Sequence, residues 1–318
     1  MGRAADYVLM PMPTTVILFL FSVGVLAAAG DFEVEVATTV AFTEGPTVDA
    51  QGNVFFSEII GQRIMKLSPD GVLSTFRENS NSANGLIFDD QWRLIACEGS
   101  NEQRRQPRVT RTDMRTGRIE ILAERYEGRP LSRPNDVTID GKGRIYFTDR
   151  GAVGHSAVYR IDPDGKLSRI LSGTEVEAPN GIVISPDDRT LYLVESNRVE
   201  GGARMIRAYD LEPDGSVRNM RVFHNFDPGR SADGLAIDTK GNLYAAAGLH
   251  VRRGSSETLD TKCGVYVFSP NGKLLRFIPI PEDTITNCAF GGPDMKTLYV
   301  TAGKTLFKIR TDIAGTQR

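Results

Sequence analysis

From residue 32 onward the chain is a succession of short apolar runs broken by turn residues, a pattern of many strands rather than long helices. Three marks recur along it in a fixed order. A polar residue, usually followed by glycine, opens an apolar run at Glu44-Gly45, Asn84-Gly85, Asn135-Asp136, Asn180-Gly181, Asp233-Gly234 and Asn287-Cys288, at intervals of 40, 51, 45, 53 and 54 residues. A few residues later comes Asp-x-x-Gly-x-aliphatic, at Asp49/Gly52/Val54, Asp140/Gly143/Ile145 and Asp238/Gly241/Leu243, with looser versions at Asp187/Thr190/Leu191 and Asp294/Thr297/Leu298. These predict hairpin turns. The third mark, Pro-Asp-Gly or Pro-Asn-Gly, stands at Pro69, Pro163, Pro213 and Pro270, each between strand-like runs such as Val158-Tyr159-Arg160-Ile161 and residues 167–171. Each unit therefore reads as a four-stranded meander. Units of this length and kind predict an all-β, six-bladed β-propeller over residues 31–318, with no second domain. Phe32-Glu33-Val34-Glu35-Val36, with period-two alternation, is the expected closing strand, completing the last blade beside residues 305–309.

The repeat also places chemistry. The first strand of a propeller blade lines the central channel, so Glu44, Asn84, Asn135, Asn180, Asp233 and Asn287 are expected to ring the axis. Asn-Gly and Asp-Gly are ordinary turn signals taken singly, but a turn does not account for Glu44 in the same register. All six side chains offer oxygen and none offers imidazole or thiolate, a set suited to a hard divalent cation. The expectation is one central ion, Ca²⁺ foremost, with Mg²⁺, Mn²⁺ or Zn²⁺ as alternatives. Asp149, closing Tyr146-Phe147-Thr148-Asp149, is a candidate second carboxylate at the pocket mouth, or else a strand-end residue capping a turn. His155 stands either at the pocket lining or on the surface, and residues 249–262 form either a lid or an idle loop.

Composition narrows the alternatives. With 38 Lys+Arg against 40 Asp+Glu the formal charge is -2, which gives no bulk attraction to nucleic acid or anionic lipid. Arg104, Arg105, Arg108 and Arg111, near Trp92, lack interleaved aromatic residues and read as a solvated loop, so no nucleic-acid partner is expected. Three cysteines, Cys97, Cys263 and Cys288, build no disulfide framework. Neither a zinc-binding His-Glu-x-x-His nor a phosphate-binding glycine loop occurs. Residues 16–29 carry no charge, follow Arg3 and end in small residues, so residues 1–30 read as a secretory signal peptide or, alternatively, an uncleaved anchor. A start at Met10 or Met12 would discard Arg3 and weaken that reading. The expected destination is the periplasm or the medium, with no membrane contact beyond this segment.

Phe42-Thr43-Glu44-Gly45-Pro46, Ser132-Arg133-Pro134-Asn135-Asp136, Ala178-Pro179-Asn180-Gly181-Ile182, Ala232-Asp233-Gly234 and Thr286-Asn287-Cys288-Ala289-Phe290-Gly291-Gly292 resemble, in order and spacing, the blade-opening motifs of one family. It is the family of gluconolactonases, regucalcin (senescence marker protein) and luciferin-regenerating enzyme, with diisopropyl fluorophosphatase and, more distantly, paraoxonases. The resemblance implies that Glu44, Asn135, Asn180 and Asp233 bind a catalytic divalent metal, that Asn84 and Asn287 take part less directly, and that Arg133 contacts substrate. It further implies hydrolysis of a sugar lactone or other small ester. As a metal ligand Asp233 would act as base or nucleophile, and Asn84, with His155 where it lines the pocket, would stand on the substrate side. One stretch departs from the pattern: after Asp149 the gluconolactonase-like members commonly continue into a loop containing proline and tyrosine, where this chain has residues 150–156, Arg-Gly-Ala-Val-Gly-His-Ser. A propeller that binds a ligand or protein without turnover, or a related esterase or phosphotriesterase, is the alternative.

Overall fold

A computed structural model describes residues 33–99, 106–152 and 154–316. The expected signal segment lies outside these residues, as do Arg104 and Arg105. Six antiparallel four-stranded sheets are arranged as blades, each built from strands consecutive in the chain except the last. The first blade runs through Thr43–Val48, Val54–Glu58, Arg63–Leu67 and Leu73–Arg77. The inner strands of blades two to six are Ala83–Phe88, Pro134–Ile139, Pro179–Ile184, Ala232–Ile237 and Ile285–Gly291. In the sixth blade the outermost strand is Val34–Thr39, paired with Thr305–Arg310 so that Val34 faces Ile309 and Thr39 faces Thr305. The expected closure of the ring is present, shifted a few residues along the chain from the alternating segment that announced it.

The second and third sequence marks are turns. Gly52 N–H donates to Asp49 O at 3.0 Å while Asp49 Oδ1 accepts from Asn53 N–H at 2.8 Å, which joins the first two strands of blade one. Gly71, at φ +88, closes the later hairpin with its N–H on Ser68 O at 2.9 Å. The first mark is different. Each opening pair, four of them polar-glycine, lies inside an inner strand at or beside an interruption of the register: between Glu44 and Thr47, Ala83 and Leu86, Pro134 and Val137, Pro179 and Ile182, Ala232 and Leu235, and Ile285 and Asn287. A β-bulge there re-aims the polar side chain. The glycines answer close packing around the axis: a Cβ on Gly45 would stand 2.1 Å from Asn84 O, and one on Gly234 would stand 2.0 Å from the Asn287 side chain.

The apolar core lies between blades rather than inside one. Phe55 and Ile64 of blade one pack with Leu86, Phe88 and Leu94 of blade two, and similar clusters join each remaining pair of neighbours, including the sixth with the first through Leu306 and Met65. Each wedge therefore stabilises two blades at once and fixes the inner strands relative to one another. Cys97, Cys263 and Cys288 are buried and unpaired. Among the described residues, no helix is long and apolar enough to cross a membrane.

Candidate metal centre and active site

The bulged ends of the inner strands bring the six ring residues together, all between 4% and 8% exposed. Asn180 Nδ2 donates to Asp233 Oδ1 at 2.5 Å and to Ser196 Oγ at 3.1 Å. Asp233 Oδ2 accepts from Arg230 Nη2 at 2.5 Å, and the buried Arg230 is itself held by Ile285 O at 2.7 Å and Gly248 O at 3.2 Å. Glu44 Oε2 takes the N–H of Gly45 at 3.0 Å. Across the axis, Asn287 of blade six reaches Asp136 of blade three, Nδ2 to Oδ2 at 3.4 Å. The channel is thus plugged by side chains at this level.

Asp136 and Arg230 are members of the site that the sequence reading passed over. Asp136 occupies the place that four other blades give to glycine, and an acidic residue at a close-packed position was the available signal. Arg230 precedes Asp233 by three residues and had no counterpart in the motif. The three carboxylates crowd one another: burial, then Asp233 and Asp136, push Glu44 well above the ordinary glutamate range. Asp136 is raised to about 7, chiefly by burial, with Asp233 adding to it.

These residues fit a hard divalent cation. Asn135 Oδ1 is buried with no hydrogen-bond partner, an orphaned acceptor whose desolvation a cation would compensate. Three ionised carboxylates against the one bonded guanidinium of Arg230 would leave two negative charges, the complement of a divalent ion. Among the described residues no group of three or more His, Cys, Asp or Glu forms a ready cage, so amide oxygens would have to complete the ligand set, as they do at calcium sites.

Asp149 is nearly fully buried, and both its oxygens are engaged by backbone: Ser132 N–H at 2.8 Å and Arg133 N–H at 2.5 Å. Burial raises it to about 6 against the opposing effect of those two bonds. Glu58, Glu98 and Glu195 end the second strands of blades one, two and four in the same way, opposite Thr43, Ala83 and Pro179, as Asp149 lies opposite Pro134. Arg133 is exposed at the rim, and His155 is exposed in the loop that follows Asp149. Arg108 and Arg111 of the basic group are bonded to Glu98 and Glu120.

The insertion in blade five is fastened on both sides. Leu249 bridges to Lys262 at its base. Arg204, only 2% exposed, donates to Asn197 O at 3.0 Å, to Val199 O and Pro228 O at 2.9 Å, and to Ser256. On the other flank His250 N–H meets Asp283 at 2.9 Å, and Arg253 Nη2 meets Thr284 Oγ1 at 2.6 Å. A cavity of about 1600 Å³ opens at the opposite end of the channel, among residues such as Val48, Phe88, Ile139 and Ile237. Of the plug it meets Asp136 and Asn287, while Glu44, Asn135, Asn180, Asp233 and Arg230 do not line it.

Residues 42–304 match the sequence profile of the SMP-30/gluconolactonase/LRE-like region. The chain belongs to this family. A gluconolactonase of Zymomonas mobilis is 28% identical over 314 residues, covering 88% of this chain and 81% of that protein. The structure of a gluconolactonase from Xanthomonas campestris superposes with a TM-score of 0.74 at 30% identity, covering 88% of this chain and 90% of that one. Regucalcin of Agrobacterium tumefaciens, a calcium-binding protein, shares the fold at a TM-score of 0.70 and 20% identity, covering 88% and 93% of the two chains. With relatives named for lactone hydrolysis, the expectation of an enzyme holds over that of a non-catalytic scaffold.

Proposed function

We propose that this chain is an exported, divalent-cation-dependent hydrolase that opens a sugar lactone at the ring end of the propeller channel. Glu44, Asn135, Asn180 and Asp233 would hold the cation, with Ca²⁺ the best match to an all-oxygen set and to the calcium-binding relative. A cation bound there supplies Lewis acidity toward the lactone carbonyl. The observation that carries the reading is the unpartnered, buried Asn135 Oδ1 among the carboxylates of Glu44 and Asp233, in a chain of a lactonase family.

The roles of the other residues follow from their bonds. Arg230 and Asn180 both donate to the Asp233 carboxylate and so hold its two oxygens in place. Asp233 would then either take the proton of an attacking water or itself attack the lactone carbonyl. Two backbone carbonyls fix Arg230, so the Asp233 carboxylate is oriented before substrate arrives. Asp149 keeps the Ser132-Arg133 turn in place by its two backbone bonds and so positions Arg133 at the rim, where a guanidinium can hold sugar hydroxyls.

The test is proton release by the purified protein on a panel of aldono-lactones, before and after chelation, with Ca²⁺, Mg²⁺, Mn²⁺ and Zn²⁺ returned singly. Turnover should vanish with chelator and return with one ion. Asp233→Asn should abolish turnover with the melting temperature retained, and Glu44→Gln should weaken calcium binding roughly tenfold or more, since a compensating charge is lost. Turnover indifferent to chelation, or full activity in Asp233→Asn, would overturn the reading.

A further inference from the structure

The rim above the ring is built from arginine. Arg133 precedes the inner strand of blade three, Arg150 and Arg198 follow the second strands of blades three and four, Arg230 precedes the inner strand of blade five, and Arg253 lies in its insertion. In an antiparallel blade the start of the first strand and the end of the second share one edge, so all five stand at the ring end. Their loops are tied together. Arg150 N–H donates to Arg133 O at 3.0 Å, Ser256 Oγ donates to Arg198 O at 3.1 Å, and Arg204 and Arg253 pin the insertion as described above. Hydrogen-bonded backbone thus fixes the loops that carry these cations at the ring end, with Arg133 and Arg198 exposed there.

The carboxylates close to them are already engaged. Asp233 holds Arg230. Asp149 takes the amides of Ser132 and Arg133, while Glu195 takes those of Glu177 and Ala178 together with Arg207. Asp283 and Glu257 offset Arg253, which feels Arg230 and Arg198 as like charges. Arg150 is half-buried; Arg198 and Arg133 act on it as like charges and Asp233 and Glu195 as opposite ones. Among the described residues the guanidiniums of Arg133, Arg150 and Arg198 make no hydrogen bond or ion pair. Fixing cations near one another while burying one of them is costly. An oxyanion placed among them would relieve that cost through charge-assisted, forked hydrogen bonds.

We propose that Arg150 and Arg198, backed by Arg253, bind an acid group carried by the substrate away from its lactone carbonyl, so that the enzyme prefers an acid-bearing sugar lactone to a neutral one. This rests on the lactonase reading. It extends that reading with a specificity determinant supplied by the loops of blades three to five. Phosphate, carboxylate and sulfonate share the required oxyanion, and the substrate arms of the test separate them.

The experiment compares kcat/KM for glucono-lactone with its 6-phosphate, 6-carboxylate and 6-sulfonate counterparts, using wild type, Arg198→Glu, Arg198→Lys and Arg150→Lys. At least one acid-bearing lactone should be preferred about tenfold or more, as expected for a charge-assisted bond. Rising ionic strength should erode that preference, and Arg198→Glu should abolish it through KM while Arg198→Lys retains part of it. Equal turnover of neutral and acid-bearing lactones, or an Arg198→Glu variant that slows both alike, would overturn the proposal. If no lactone is turned over, the lactonase reading fails. Calorimetric binding of glucose 6-phosphate, glucuronate and 6-deoxy-6-sulfoglucose against neutral glucose then decides the arginine site separately. Preferential binding of an acid-bearing ligand that is lost in Arg198→Glu would support the site, and no preference would overturn it.

Discussion

Burial raises Asp149, at the end of a second strand, as it raises the axial Asp136, but without a neighbouring carboxylate adding to the effect. Its two backbone donors favour the ionised form, but burial outweighs them and places its pKa at about 6; Glu195, at the equivalent place in blade four, is shifted upward for the same leading reason. An unfolded aspartate titrates near 3.9. Between about pH 4 and pH 6 the folded state therefore holds more protons than the unfolded one, and stability falls as pH rises through that window before levelling. For Asp149 alone the effect is at most about 3 kcal/mol. Urea unfolding in the presence of chelator should show the midpoint falling from pH 4 to pH 6, and Asp149→Asn should flatten part of the slope; an unchanged slope would mean that Asp149 is ionised throughout. The sequence offers Asp149 as either a mouth carboxylate or a turn cap, and comparison with Glu195 reveals the engagement the two share, each accepting two amides of the loop that leads into its blade's inner strand. Asp136 was harder to find, because one functional residue per repeat was sought and the next position was taken as part of a turn.

That misreading belongs to the strand as an element. Asn-Gly and Asp-Gly pairs have the composition of a hairpin turn, yet here they sit within strands, where the bulge aims the polar side chain at the axis and the adjacent blade leaves no room for a Cβ. Local propensity describes the dipeptide correctly while the neighbouring blade decides its use. The blade-five insertion teaches the same lesson: its length was visible in the chain, but its anchor, Arg204, comes from blade four, some fifty residues earlier. Replacing Arg204 by leucine would strand the carbonyls of Val199 and Pro228 and free Ser256. Leaving a buried carbonyl without its donor costs about 1–3 kcal/mol. Limited proteolysis should then cut within residues 250–258 at least several times faster, and KM should rise as the rim arginines lose their common frame. Unaltered cleavage would show that the bonds to Thr284 and Asp283 hold the insertion by themselves.

Over the whole molecule, six repeats gave both the fold and the ring, because a residue recurring at one phase of a closed array must converge on its axis. What spacing does not reveal is how strongly the array is closed. The clasp is one strand, Val34–Thr39, which pairs the beginning of the chain with its end. It continues directly into the ring: Val40 N–H donates to Lys304 O at 2.6 Å, Thr43 N–H to Gly303 O at 2.8 Å, and Glu44 follows. A protein beginning at residue 41 would lose the burial of Val34 against Ile309 and Phe307, and would expose Thr305–Arg310 as an unpaired edge. It would also lose the closure that restrains its two ends. Its melting temperature should fall by roughly 3 °C or more, as a loss of about 2 kcal/mol implies for a domain of this size. At the proposed metal site calcium affinity should fall as well, because Glu44 lies only five residues beyond Thr39, and a peptide of residues 33–40 added in trans should restore part of both. Lower stability with calcium binding intact would instead show that the five other inner strands fix the ring without the clasp. Were residues 1–30 removed as the proposed export signal, the clasp that begins at Val34, and with it the proposed metal site, would stay with the mature protein.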